Sequence, residues 1–268
     1  MNTIGRRRGR PGRPAADTAQ PTVQAVDRAL DVLSVLAAQD GATLSELAGR
    51  LGQSVATMHR LLASLAAREM VEIDPTSQAW HIGPEAFRLG SSFLRRSNVI
   101  ERSRPIMREL TAETRETSNL GIEWNGQVLF VGQVETHEFI RAFFRPGTLS
   151  PLHASGIGKA LLSAYEPVRV DAILREARFE GFTERTISSR AALMEDLELA
   201  RRRGFAFDNE ERAKGMRCIA APVLNGFREA VAGISISGPS ERIPEAHVEA
   251  IGNIVRAAAA RVSALLGA

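Results

Sequence analysis

Between Thr43 and Arg68 the chain reads TLSELAGRLGQSVATMHRLLASLAAR, two short amphipathic helices joined by a tight turn. The rest of the chain is organised around this stretch. Thr43 is placed to cap the first helix, with Glu46 three residues on completing a capping box. Leu44, Leu47 and Leu51 recur at helical spacing. Gly52 ends that helix where a positive φ is easiest to adopt. Ser54 then caps a second helix with Val55, Met58, Leu61, Leu62 and Leu65 on its apolar side. Thr57, Arg60 and Ser64 fall on the other side, three or four residues apart. A helix with one face for packing and one for a DNA groove looks like this, although a plain helical hairpin shares the pattern.

The flanks favour the DNA-binding reading. Thr22–Ala38 has Val26, Ala29, Leu30, Leu33 and Leu36 at helical spacing, with Thr22 as its cap, and reads as a supporting first helix. Beyond the hairpin, Met70–Asp74 and Ala79–Ile82 read as strands around the turn Pro75-Thr76-Ser77-Gln78. Three helices followed by a β-hairpin is the order of a winged helix-turn-helix. The candidate DNA contacts are therefore Thr43, Gln53, Ser54, Ala56, Thr57, Arg60 and Ser64.

Charge supports that reading only where it is concentrated. The formal net charge is +3, yet Arg6, Arg7, Arg8, Arg10 and Arg13 put +5 into the first fourteen residues and leave −2 for the rest. From Pro21 to Gly90 there are five basic and eight acidic residues, so bulk charge does not argue for DNA there. Residues 1–20 have too little apolar content to bury a core and are expected to be disordered when free. Arg8-Gly9-Arg10-Pro11, partly repeated at Gly12-Arg13-Pro14, resembles the core of an AT-hook. Glycine lets such a backbone sit deep in the minor groove, proline keeps it extended, and Arg8, Arg10 and Arg13 meet the negative potential of A·T-rich DNA.

With 268 residues, 44% of them hydrophobic, the chain has room for about two packed domains. A single cysteine, Cys218, leaves no intramolecular disulfide and suits a reducing cytoplasm. No apolar run approaches the roughly 20 residues that span a bilayer, and the arginine-rich start is not a secretory signal. The expectation is a cytoplasmic protein without membrane contact.

Gly83–Arg96 reads as a helix joining the domains, with Val99–Glu116 as a second long helix. From Ser118 the pattern changes. Asn119–Trp124 and Gln127–Glu135 alternate like strands around Asn125-Gly126, a strong hairpin signal. Glu138–Arg145 reads as a further strand ended by Pro146-Gly147. Ser155–Tyr165, Pro167–Arg175 and Arg190–Arg203 read as helices, Phe205–Phe207, Met216–Val223 and Ala230–Ser237 as strands, and Pro244–Leu265 as a closing helix. The class is α+β: a winged helix-turn-helix, a helical linker, then a sheet domain carrying helices. The expected boundaries are 1–20 for the arm, 21–83 for the DNA-binding domain, 84–97 for the linker helix and 98–268 for the second domain.

Enzyme motifs fail their context tests. Gly156-Ile157-Gly158-Lys159 lacks P-loop spacing, and Leu161 stands where a Rossmann third glycine belongs. Ser237 occupies the last glycine position of a would-be nucleophile elbow at Gly233–Ser237. The five histidines are scattered without metal-ligand spacing. No catalytic residue, metal or cofactor is expected.

From Thr22 to about Leu266 the chain resembles the IclR family of bacterial transcription regulators. The likeness is carried by AVDRALDVLSVLA, LSELAGRLGQSVATMHRLLASL and WHIGPEAFRLG, then by LHASGIGKALLS, RRRGFAFDNEERAKGMRCIAAPV and AVAGISISGP. All of these in this order are highly specific. The resemblance implies a winged helix-turn-helix bound to promoter DNA, a GAF/profilin-like effector domain, and a homodimer or dimer of dimers. It also implies a pocket for a small 2-oxo acid, glyoxylate first and pyruvate next. By motif the pocket falls on the backbone amides of Gly156 and Ile157, on Asp208 and Cys218, and on Ser235 and Ser237. The chemistry is sensible. Free N–H groups at a helix start favour a carboxylate. The two serines, two apart on a strand, face one side. Asp208 would repel a carboxylate, so its expected task is to accept hydrogen bonds from the far end of the ligand, such as the hydroxyls of hydrated glyoxylate. The alternative function is a small-molecule sensor that acts through protein partners and uses the helix-turn-helix only to dimerise.

Overall fold

A computed structural model describes residues 23–96, 98–139 and 144–268, with side chains described outside 94–96. The chain divides between Ser91 and Ser92 into two compact units. Arg8, Arg10, Arg13 and the proposed Thr22 cap lie outside the described residues.

The first unit opens with α1 (Gln24–Ala37), whose N-cap position is Val23 with no side-chain cap. Val32 and Leu36 are its buried residues, whereas Val26 and Leu30 of the expected apolar stripe are more than half exposed. Two residues pair next as β1 (Ala42–Thr43), a strand too short to show alternation in sequence. α2 (Leu44–Arg50) starts with the full capping box: the Thr43 side chain accepts from the Glu46 N–H, and Glu46 Oε2 accepts from the Thr43 N–H at 2.8 Å. Gly52 takes φ +59°, and α3 (Val55–Ala66) begins with Ser54 accepting from the Thr57 N–H. Val55 is 53% exposed rather than packed, because the first helical position points off the end of the apolar stripe that Met58 and Leu62 bury. The wing is β2 (Val71–Ile73) and β3 (Ala79–Ile82), its turn tied by Asp74 Oδ1 accepting from the Thr76 and Ser77 N–H groups. The three strands form an antiparallel sheet in the order β1-β3-β2. α4 (Pro84–Arg96) follows.

The second unit is an antiparallel six-stranded sheet with helices on both faces. Its elements are α5 (Asn98–Thr114), β4 (Thr117–Trp124), β5 (Gln127–Val134), β6 (Leu149–Pro151), α6 (Gly156–Ala164), α7 (Pro167–Glu176), α8 (Arg190–Arg203), β7 (Ala206–Asn209), β8 (Met216–Leu224), β9 (Ala230–Pro239) and α9 (Val248–Leu265). The strand order is β6-β5-β4-β9-β8-β7. One face is covered by α5 and α9 through Met107, Leu110, Val255 and Val262, packed on Leu120, Ile219, Ile234 and Ile236. The other is covered by α6, α7 and α8 through Ile157, Leu161, Val170 and Leu197, packed on Val128, Phe130 and Ala220.

Two readings shift here. No described residue of Glu138–Arg145 is in a strand, residues 140–143 lying outside the described ones; the next described strand is β6. β6 is an edge strand, which is why proline is tolerated at Pro151. The closing helix begins at Val248 rather than Pro244, after a 3₁₀ turn over Glu245–His247.

Candidate functional site

In the first unit the candidate recognition face is the exposed side of α3. Ser54, Ala56 and Arg60 are exposed, and Thr57 is half-buried. Several hydroxyls are already engaged locally. Ser54 Oγ donates to Thr57 Oγ1 at 2.9 Å, Ser64 Oγ donates to Arg60 O at 2.8 Å, and Gln53 Nε2 donates to Leu51 O at 3.2 Å. Arg60 keeps its guanidinium in solvent. His59, which the helical pattern did not single out, stands beside it and lines a depression with Thr43, Ser45, Gln78 and Trp80.

In the second unit the expected pocket residues converge from three places. Sheet register puts Asp208 opposite Cys218 and Cys218 opposite Ser237, a row across β7, β8 and β9. Ser235 sits one step along, opposite Asn119 on β4. All of these turn to the face that α6 covers. Ser155 caps α6, its Oγ accepting from the Gly158 N–H at 3.4 Å. That leaves the Gly156 and Ile157 N–H groups without an intrahelical partner. The helix start comes close because Gly121 and Gly233 face each other in the sheet beneath it. A Cβ on Gly233 would lie 2.8 Å from Ile157 Cγ2.

Gly156, Ile157, Asp208, Cys218 and Ser237 line one small cavity of about 20 Å³, room for roughly one water. Phe130, Phe144, Ser150 and Arg212 line it too, and the two phenylalanine rings stack at 4.7 Å. Ser235 is the expected residue that the lining omits. It is fully buried, its Oγ without a nitrogen or oxygen partner among the described residues, and it reaches the site through Cys218. A larger depression of about 630 Å³ lies between the β4–β5 turn and α7, and none of the six expected residues lines it.

Residues that single-residue reasoning missed support the row. Asn119 Nδ2 donates to Ser237 Oγ at 3.3 Å, and Gln133 Nε2 donates to Asn119 Oδ1 at 3.3 Å. Lys159 is wholly buried. Its Nζ donates to Glu211 Oε1 and Phe207 O, both at 2.6 Å, and pairs with Asp196 Oδ2 at 2.9 Å. Asp208 Oδ1 in turn accepts from the Glu211 N–H at 2.8 Å. One cation thus ties α6, the end of β7, the β7–β8 turn and α8 together. Alternation was the signal available for Asn119; nothing local marked Lys159 as buried.

The electrostatics follow from burial. Burial pushes the Asp208 carboxyl up, and the Glu211 charge adds to it; Lys159 and the backbone N–H groups oppose, leaving it at about 7. Glu211 is raised by burial against the pull of Lys159. Burial lowers the Lys159 ammonium, but Glu211, Asp196 and Asp208 outweigh it and hold it above the usual range. Cys218 is half-buried as a residue, yet its thiol is shut from solvent, and burial followed by the Asp208 charge lifts it to about 11. It is a neutral wall, not a thiolate.

These shifts give a prediction with a definite sign. A carboxyl raised in the native state binds its proton more tightly there than in the unfolded chain. Stability therefore falls as pH rises from about 4 to about 7, and the loss is complete above that. The urea midpoint of the second unit is expected to drop between pH 5 and pH 8, Glu211 contributing in the same direction. Asp208→Asn, which retains an acceptor for the Glu211 N–H, is expected to flatten that slope. Equal slopes in the two proteins would show that Asp208 is ionised throughout.

Comparison with known proteins agrees with this layout. Residues 25–75 match the family model described as the IclR helix-turn-helix domain. Residues 91–264 match the one described as bacterial transcriptional regulator IclR C-terminal. The HTH-type transcriptional regulator BhcR of Paracoccus denitrificans is 52% identical, over 98% of this chain and 95% of its own. The HTH-type transcriptional repressor AllR of Escherichia coli K12 is 35% identical, over 98% of this chain and 97% of its own. The crystal structure of an IclR transcriptional regulator from Alicyclobacillus acidocaldarius superposes with a TM-score of 0.80 at 25% identity, covering 92% of this chain and all of that one.

Proposed function

The chain belongs to the IclR family, a DNA-binding transcriptional regulator with a C-terminal effector domain and not an enzyme, and on that premise we propose that its effector is a small 2-oxo acid, glyoxylate first and pyruvate next. The observation that supports this reading most is the convergence of the free Gly156 and Ile157 N–H groups with Asp208, Cys218 and Ser237 on one small cavity, which has to open beyond its present volume of about 20 Å³ to admit the acid. The carboxylate sits at the start of α6, where the helix dipole favours it. Ser237 donates to the ligand, and Asp208 accepts from its far end when ionised. On this reading residues 1–20 are the DNA-reaching arm, 21–83 the DNA-binding domain, 84–97 the linker helix and 98–268 the effector domain of a cytoplasmic protein. It works as a homo-oligomer, a dimer or dimer of dimers. The exposed Val26, Leu30 and Phe87 are apolar surface for a second copy to cover. Among the described residues no helix is long and apolar enough to cross a membrane.

Effector binding then shifts the population of arrangements that set the spacing of the two recognition helices against half-sites. The experiment is fluorescence anisotropy of the full chain on its own upstream DNA, with and without glyoxylate, at fixed salt. A specific affinity that moves with glyoxylate is the expected result. Specific binding unmoved by glyoxylate or pyruvate would overturn the effector. Arg60→Ala is expected to weaken specific binding by about 1–3 kcal/mol. Removing residues 1–14 is expected to lower the salt slope by roughly 0.9 for each arginine that neutralises a phosphate. A sensor that acts only through protein partners would be indifferent to both changes.

A further inference from the structure

Arg212 follows Glu211 in the β7–β8 turn and lines the same cavity as Gly156, Asp208 and Ser237. Its guanidinium carbon lies 3.9 Å from the centre of the Phe182 ring. Phe182 is itself backed by His153, the ring centres 6.2 Å apart. A cation–π contact of this kind engages the guanidinium without using its N–H donors, which stay available for an anion. Among the described residues no carboxylate pairs with Arg212. Nearby Arg217 differs: its nitrogens donate to Asn209 Oδ1, Ile243 O and Glu245 Oε1. Arg217 is a structural cation, and Arg212 is a cation stacked on Phe182 with no counter-ion among the described residues, half-buried at the wall of a cavity.

That cavity otherwise has an electrostatic conflict. The ends of two N–H groups favour an anion, while Asp208, when ionised, repels one. A fixed guanidinium resolves it, because it offers two parallel donors to a carboxylate and offsets the aspartate charge. We infer that Arg212 is a specificity-determining residue of the effector site, receiving the carboxylate of a small 2-oxo acid in concert with the Gly156 and Ile157 N–H groups. The inference rests on the effector reading above. It adds that the site selects for the acid rather than for the carbonyl. A neutral aldehyde of the same size lacks the group that Arg212 and the helix start recognise.

The test is isothermal titration of the full chain with glyoxylate, and with glycolaldehyde as the neutral probe, at low and high ionic strength. Wild type is expected to bind glyoxylate, to bind it more weakly as salt rises, and to ignore glycolaldehyde. Arg212→Gln is expected to bind glyoxylate about ten- to a hundredfold more weakly, with a flatter salt dependence. Arg212→Lys, which retains charge without the planar fork, should fall between the two. Melting curves control for folding. If Arg212→Gln is unstable, Arg212→Lys and the wild-type salt dependence decide. Wild type binding glyoxylate with Arg212→Gln equally tight and equally salt-sensitive would overturn this inference and leave the effector reading standing. Glycolaldehyde binding as tightly as glyoxylate would overturn it too. No binding of glyoxylate or pyruvate by wild type would take the effector reading and this inference together.

Discussion

Lys159→Met is expected to cost the second unit about 3–5 kcal/mol, the usual result of removing one member of a buried ion pair. Methionine preserves the length of the stem, so the loss is electrostatic and not a cavity. Without the ammonium, Glu211 and Asp196 lose their 2.6 and 2.9 Å contacts, and Phe207 O loses a donor. The buried Glu211 and Asp208 and the partly exposed Asp196 are then left without their cation. Such a loss is a large part of the roughly 5–15 kcal/mol that holds a domain together. The deficit depends on pH in a known direction. Protonating the carboxyls relieves it, so the gap in urea midpoint between wild type and variant is expected to be smaller at pH 5 than at pH 8. Lys159→Met combined with Glu211→Gln should recover part of the loss. A variant as stable as wild type at both pH values would show that the ammonium is not the cation of this cluster.

Gly158→Ala is expected to be the most disruptive single methyl group in the molecule's effector unit. A Cβ at that position would lie 2.3 Å from Leu152 O and 2.5 Å from Leu152 Cα. Those atoms are backbone and have no rotamer to retreat into, so α6 must lift from the segment after β6. Overpacking of a core costs about 1–3 kcal/mol when side chains can shift, and the present case sits at or above the top of that range. The same movement displaces the Gly156 and Ile157 N–H groups, so effector affinity should fall together with stability. Gly49→Ala, in the last turn of α2 with nothing within 4 Å of its added methyl group, is expected to stabilise its own unit by up to about 0.5–1 kcal/mol. Opposite signs in two melting curves check the pair. A Gly158→Ala protein that melts and binds glyoxylate like wild type would refute the close approach.

Much of the architecture was legible where local chemistry decides it. α8 runs from Arg190 to Arg203 as read, because Ser189 caps it and Gly204 stops it in a left-handed conformation at φ +79°. The Thr43–Glu46 box, the Ser54 cap and the Asn125-Gly126 hairpin turn are local in the same sense. The differences at β1 and β6 fall where pairing with distant chain decides. β1 is a strand only because β3 is there to pair with it. β6 contains proline and is short, and its place at the sheet edge excuses both.

The sequence by itself determined the two kinds of domain and the two-faced pattern of α3, since helical period and strand alternation are carried by neighbours in the chain; the family resemblance, not periodicity, pointed to five of the cavity-lining residues. Tertiary structure alone decided what surrounds those residues. Arg212 is a cation at the wall with no carboxylate partner among the described residues, Asn119 and Gln133 extend the polar row, and Lys159 is a buried tie rather than a surface lysine on an amphipathic helix. Each of these depends on residues far away in the chain, in the case of Lys159 and Glu211 by 52 positions. Electrostatic environment is set by what packs around a charge, and that is a property of the folded space and not of the local sequence.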